Sequence, residues 1–434
     1  MKKTGRIISI LLAAIMLAGM MGGSVLADEN GSITVCLRIE GLIENIYDNT
    51  AINIAAGATV EDLIKQINNA GGAPKILINN SAYGAYISEV DGLSEFEYGE
   101  MSGWSYRVND TDPMVGISQY RLKDRDSVVL FYGDPYGVGM QYPKVSLSRL
   151  LSDGLIGFSS VDSVYDEDWV LTLVENPVVG AKVVFRWGTY FTDEKGEITI
   201  TDKTGLSGYR TLQIERYDEQ TGVPTVLRFG PGFEIYVPFA DTPHDAPLAW
   251  YEDAVRFCVR EELFFGTNPT ANLFEPNRKM TMTQLVSVLA RIGGVDADLT
   301  LGEWWYKVPL EWAIGNGVLS IDVKIIEGGI GDVYELTSGM NVTREEFIYM
   351  FYLTAGLTGC CDMSARADIS EAADYNDITA EYLEAVSWAV ESGIIKGTNP
   401  DLLEIDPGQE INRATVCQML HNYYSVGRGL LSRG

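Results

Sequence analysis

Histidine is almost missing from this 434-residue chain: only His244 and His421 occur, far apart and without a neighbouring ligand pattern. That scarcity disfavours zinc spacings and imidazole-based triads, and no Gly-X-Ser-X-Gly elbow or phosphate-binding glycine loop stands in for them. Cysteine is also sparse. The five, at Cys36, Cys258, Cys360, Cys361 and Cys417, form no even, spaced framework, which argues against disulfide-dependent folding. Basic residues number 32 against 60 acids, for a formal charge of −28 and a pI near 4.4, and such a field repels nucleic acid and anionic lipid. After the first two dozen residues no apolar run approaches the eighteen or so that a membrane span needs. Carboxylates are so abundant that picking out a catalytic pair discriminates nothing, so the expectation is a chain without enzymatic chemistry. An unrecognised polysaccharide hydrolase is the reading those acids leave open. What the sequence does have is 46% hydrophobic residues and many aromatics, enough for packed cores in two to four domains.

The first 27 residues read as a secretory signal. Lys2, Lys3 and Arg6 precede an apolar run from Ile7 to Met21, and Val25-Leu26-Ala27 offers compact residues before Asp28. Removing that leader would take the charge from −28 to −31. Neither a lipid-attachment cysteine at the cleavage point nor a sorting signal at Gly427–Gly434 is found, so retention is expected to depend on the folded chain itself.

The last 190 or so residues repeat. Gly-Thr-Asn-Pro at Gly266 returns at Gly397, 131 positions later, and the same offset carries Ala254-Val255 onto Ala385-Val386, Phe257 onto Trp388 and Met282 onto Arg413. A middle copy fits at an offset of 55, with Trp250-Tyr251 on Trp305-Tyr306 and Phe257 on Trp312; seven extra residues after Ser320 then bring Met282 onto Arg344. Each copy reads as helix, glycine-bearing turn and second helix, with Thr281, Thr343 and Asn412 as N-caps of the second helix. One such unit cannot bury a core, so the three are expected to pack together. Trp388 and Trp312 fall at core spacing, whereas Trp250 and Trp305 are open between core and a sugar-facing role.

These units resemble S-layer homology repeats, whose helix-start signature survives as Val342-Thr343-Arg344-Glu345-Glu346 and Ile411-Asn412-Arg413-Ala414-Thr415. The first copy departs from it, reading Met280-Thr281-Met282-Thr283-Gln284. The resemblance covers about residues 238–426, in repeats at about 238–294, 297–358 and 367–426. It implies a mostly α, pseudo-threefold bundle that binds secondary cell-wall polysaccharide, with the signature arginine on an acidic, typically pyruvylated, sugar. An arginine one residue past an N-cap suits that role, because free helix-start N–H groups and a guanidinium can converge on one anion. The candidate wall-binding residues are therefore Arg344, Arg413, Thr343, Asn412, Trp250 and Trp305. Simple pairing of the two arginines with neighbouring acids is the alternative, and the Met282 groove is expected to be weak or silent.

Residues 31–138 alternate as strands around Ile33, Val35 and Leu37 and around Ile52 and Ile54, then pass through a helix capped at Thr59 to further strands. That order describes an α+β, β-grasp-like domain. Gly103-Trp104-Ser105-Tyr106-Arg107-Val108-Asn109, with Leu122–Val128 after it, resembles the C-terminal β-domain of the cobalamin carriers transcobalamin and intrinsic factor. A corrinoid is the ligand class this resemblance implies, although the helical domain supplying the carriers' other face has no counterpart. Trp104, Tyr106 and Asn109 are the candidate ligand residues, with alternating core and cross-strand packing as the other reading. Residues 145–237 read as an all-β, Ig-like or transthyretin-like sandwich, a spacer in which Asp193 and Glu194 are solvated turn acids rather than calcium ligands. The whole reads as a multidomain, secreted, non-catalytic protein of the cell wall or S-layer surface, without a resident cofactor or metal. A surface receptor for corrinoid or another small ligand is the alternative.

Overall fold

The computed structural model describes residues 31–425 except 72–73, 82–83, 114, 166–170, 187, 229–232, 243–248, 322–328, 360–361 and 397–402. The expected leader, His244, Cys360 and Cys361, and the second Gly-Thr-Asn-Pro lie outside the described residues. Sheets occupy the N-terminal part and helices the C-terminal part, as a multidomain chain of both classes requires. Two compact units result, one of residues up to Lys203 with Arg210–Ile235, the other of Thr204–Tyr209 with Tyr236 onward.

The first unit starts with a hairpin of β1 (Ser32–Glu40) and β2 (Asn45–Ala55). Thr59 then caps α1 (Val60–Asn69) through a reciprocal box with Asp62, and Val60, Leu63, Ile64 and Ile67 give that helix one buried face. Strands β3 (Ile76–Ser81), β4 (Gly84–Val90) and β5 (Leu93–Ser94) make a small antiparallel sheet. The chain returns through β6 (Gly103–Val108) and β7 (Ser127–Gly133) to complete the order β2-β1-β7-β6, in which β1 and β7 run parallel. Val35, Leu37 and Ile39 point into the core from β1. Cys36 faces the other way and is only half-buried, because side chains alternate along a strand.

Residues 31–138, and 145–237 apart from Thr204–Tyr209 and Tyr236–Val237, fall in one compact unit, and β7 shows the reason. Its Val128, Leu130 and Tyr132 fill the helix-side core, while Val129 and Phe131 on the opposite face pack with Leu227, Met140 and Tyr142. Arg107 lies 3.7 Å above the Tyr142 ring and pairs with Asp112 at 2.9 Å; burial pushes the Tyr142 hydroxyl up to about 12. Beyond this come β8 (Lys144–Ser146), the single turn α2 (Leu150–Asp153), β9 (Leu155–Tyr165), β10 (Leu171–Pro177), β11 (Lys182–Phe185), β12 (Gly188–Phe191), β13 (Glu197–Thr199), β14 (Gly208–Glu215) and β15 (Phe233–Val237). They form two sheets, β10-β9-β13 with β8 on β9, and β12-β11-β14-β15. Ile156, Phe158, Val183, Phe185, Ile198, Leu212, Ile214, Ile235 and Val237 are among their buried residues, at alternate positions along the strands.

The second unit holds α3 (Glu252–Arg260), α4 (Met282–Ile292), α5 (Lys307–Gly315), α6 (Ile330–Ser338), α7 (Arg344–Thr358), α8 (Leu383–Glu391) and α9 (Arg413–Ser425). Tyr251, Tyr306 and Tyr382 stand at the N-cap of α3, α5 and α8. The second helices α4, α7 and α9 begin after Thr281, Thr343 and Asn412. Helix α6 is an addition of the middle segment that periodicity did not show. Trp388 is fully buried. Trp312, expected in the core, is half-buried; it lies over Gly293, where a Cβ would come within 2.2 Å of its ring.

Asp193 settles its turn internally, its carboxylate accepting from Lys195 N at 2.9 Å and Glu197 N at 2.8 Å. Gly196 in the same turn has φ +72, and a Cβ there would sit 2.3 Å from the Phe158 carbonyl oxygen. Gly196→Ala should therefore lower unfolding free energy by about 2–4 kcal/mol, a strained φ plus a backbone clash, as read from urea melts of the full chain. A loss below about 0.5 kcal/mol would contradict that account.

Candidate functional site

The three second-helix starts meet through their backbones. Met280, Val342 and Ile411, each one residue before a cap, close a ring: Met280 N donates to Ile411 O at 3.0 Å, Ile411 N to Val342 O at 2.9 Å, and Val342 N to Met280 O at 3.0 Å. All three side chains are buried. A second layer follows two residues on, where Met282 N donates to Met340 O at 2.8 Å, Arg344 N to Gln409 O at 2.9 Å and Arg413 N to Arg278 O at 3.1 Å. Glu345 N and Ala414 N then reach Pro407 O and Pro276 O, at 3.1 and 2.9 Å.

This geometry changes the role expected of the helix starts. Thr343 Oγ1 and Asn412 Oδ1 accept from Glu346 N at 3.4 Å and Thr415 N at 2.9 Å. With the first two amides of α7 and α9 already bonded to neighbouring segments, these ends present no row of free N–H groups to an anion. Thr343 and Asn412 are caps.

The signature arginines are largely buried as well. Arg413 is 7% exposed and lies over the rings of Phe274 and Phe264, 4.4 and 5.0 Å from their centroids. Its Nε donates to Phe274 O at 2.8 Å and an Nη to Phe265 O at 2.6 Å; burial lowers its pKa to about 10. It ties the last helix start to the loop after α3. Arg344 is 8% exposed, burial lowers its pKa, and Asp406 and Asp374 oppose that shift. Its Nε has no hydrogen-bond partner among the described residues. Met282 occupies the corresponding place at the first start as a buried thioether side chain.

Sequence reasoning missed two acids and an arginine. The Asp241 carboxylate accepts from Phe274 N and Glu275 N at 2.8 and 2.7 Å. Asp374 does the same for Ile405 N at 3.0 Å and Asp406 N at 2.6 Å. Glu275 and Asp406 are held at positive φ, 56° and 53°. The signal was an acid ahead of the first helix in both copies. Arg291, also buried, donates to Leu263 O at 2.6 Å and Thr300 Oγ1 at 2.8 Å.

Of the aromatic candidates Trp250 is 64% exposed and Trp305 half-buried against Tyr334. Trp304, which the repeat offsets did not single out, is 63% exposed, with its ring 6.1 Å from that of Tyr306.

The N-terminal candidates are engaged internally. Trp104 is 9% exposed, donates from Nε1 to Leu93 O at 2.9 Å and meets Tyr132 edge-on at 5.5 Å. Tyr106 donates its hydroxyl to Val115 O at 2.6 Å, and burial pushes its pKa up to about 12. Asn109, at φ 51°, donates to Asp126 Oδ1 at 2.8 Å and accepts from Ser127 N at 2.9 Å. The expected ligand trio is therefore two core-facing strand residues and a turn residue; the three do not converge on one open surface.

Residues 373–417 match the S-layer homology domain, and residues 57–134 match a domain of unknown function, DUF4430. No curated protein matches the chain. Among solved structures, haptocorrin in complex with Cbi is 12% identical with a TM-score of 0.22 over 25% of this chain. The chain spans about a quarter of haptocorrin, 26%. A candidate metal binding protein from Ruminococcus gnavus is 12% identical, with a TM-score of 0.19 over 24% of this chain and 99% of that one. The S-layer homology resemblance is thus shown at residues 373–417, which include the helix start at Ile411–Thr415, and that domain indicates association with the cell surface or S-layer. Among the described residues no helix is long and apolar enough to cross a membrane.

Arg413→Lys should leave the fold intact but lower its stability by about 1–3 kcal/mol, since one ammonium cannot serve two carbonyls and lie flat between two rings. Thermal melts by circular dichroism measure this. An unchanged melting temperature would show that the guanidinium does not hold the modules together.

Proposed function

We propose that this chain is a secreted, non-catalytic cell-surface protein, held non-covalently to secondary cell-wall polysaccharide by three S-layer homology modules at about 238–294, 297–358 and 367–426. A sandwich spacer at 145–237 and a β-grasp-like domain at 31–138 precede them in the chain. The observation that carries the reading is the family match at residues 373–417. The ring through Met280, Val342 and Ile411 supports extending it to the other two segments, because equivalent residues exchange equivalent bonds.

Within that reading the wall polymer meets Arg344 and the indoles of Trp250 and Trp305 rather than bare helix amides. Arg344 is the signature guanidinium that keeps 8% exposure and whose Nε is left without a partner among the described residues. A buried donor without a partner costs free energy that an anionic sugar group would offset. Trp250 and Trp305 offer apolar faces of the kind on which sugar rings stack. The internal engagement of Trp104, Tyr106 and Asn109 gives no support to a corrinoid role, so the proposal stops at display for the N-terminal domain.

Co-sedimentation of the full chain with purified walls tests this. Binding is expected to intact walls and to fall at least about tenfold, roughly 1.4 kcal/mol, in Arg344→Gln. Mild acid that removes ketal-linked pyruvate should produce a similar loss. Equal recovery on walls stripped of their secondary polysaccharide would sink the proposal.

A further inference from the structure

Closing a ring of three modules requires one junction that the chain itself does not make. At each junction a second helix packs on a first helix: α4 on α5, α7 on α8 and α9 on α3. The repeat offsets assign one residue pair to the same place in each: Val286 with Ala313, Ile348 with Ala389, and Cys417 with Cys258. All six are buried, none more than 1% exposed. The first two junctions join modules adjacent in sequence and carry an aliphatic residue against alanine. The third joins the last module to the first across the whole intervening one, and there both residues are cysteine.

The two side chains are in contact range. Cys258 Sγ donates to the Cys417 carbonyl oxygen at 3.7 Å. Burial, and next the facing Cys417 thiol, hold the Cys258 thiol well above its usual range. A contact of this kind, between residues 159 positions apart, is where a crosslink restricts the unfolded chain most.

We infer that Cys258 and Cys417 form a disulfide that locks the last module to the first. The oxidant is a disulfide outside the membrane, either a thiol oxidoreductase or glutathione disulfide. One cysteine thiolate attacks it, forming a mixed disulfide and releasing one oxidant thiol. The second cysteine thiolate then attacks the protein sulfur of that mixed disulfide and expels the other oxidant thiol. Two cysteine thiols are oxidised, one oxidant disulfide is reduced to two thiols, and the two protons pass to the departing thiolates. Both sulfurs are sealed in the folded unit, so the exchange occurs as the helices come together, before the junction closes.

The inference rests on the ring packing and not on wall binding, and its test does not involve walls. Full-length protein is refolded with oxidised and reduced glutathione, quenched in acid, denatured without reductant, alkylated and mapped by peptide mass. A peptide containing Cys258 should be linked to one containing Cys417, about 2 Da below the sum of the two thiol peptides. Reductant should lower the melting temperature by about 10 °C. The double variant Cys258→Ala/Cys417→Val, which installs the pair found at the first junction, should fold and melt near the reduced protein, indifferent to reductant. Alkylation of both cysteines in the refolded protein, or linkage of either to Cys36, Cys360 or Cys361 instead, would overturn the inference. A failure to bind walls would leave this result standing, and the converse also holds.

Discussion

Three backbone hydrogen bonds, passed head to tail among Met280, Val342 and Ile411, are the constraint on which the helical unit depends. A pair of short helices exposes too much apolar surface to stand alone, and side-chain packing by itself would allow the pairs to slide. The ring fixes their register, since each segment just before a helix start donates to one neighbour and accepts from the other. It also consumes the amides that helix starts ordinarily leave open. The cap residues and Arg413 follow from the same demand: with the backbones brought so close, every polar group at the centre needs a partner inside the protein.

Much of this unit was legible in the sequence. The positions of Thr281, Thr343 and Asn412, one before each second helix, could be read because capping chemistry is local and repeated. The destination of Arg413 could not, because its partners are carbonyls of Phe265 and Phe274, and a carbonyl has no residue-type signature. Reading a helix-start arginine as an anion site assumed that the neighbouring amides were free; only tertiary contact shows them occupied. The acids Asp241 and Asp374 were overlooked for a related reason: their value lies in holding Glu275 and Asp406 at positive φ, and a non-glycine residue in that region gives no compositional warning.

The N-terminal unit shows the complementary limit. Alternation predicted the strands around Val35 and the helix after Thr59, both patterns set by one buried face. It also made Trp104 and Tyr106 attractive as ligand contacts, because an aromatic residue on a strand carries no mark of which side is core. Trp104 satisfies its N–H on the Leu93 carbonyl and Tyr106 its hydroxyl on Val115, so the polar handles that suggested recognition serve to bury the rings without an orphaned donor.

Strand β7 carries an implication for where a functional module begins and ends. Both of its faces are covered, one by the helix-side core and the other by Tyr142 just after it and by Leu227 nearly a hundred residues further on. The stretch that can be recognised across proteins, 57–134, is therefore smaller than the stretch that can shield itself from water. A graft cut at residue 138 would carry Val129 and Phe131 as a greasy outer face. Inheritance and cooperative folding here use different units of length.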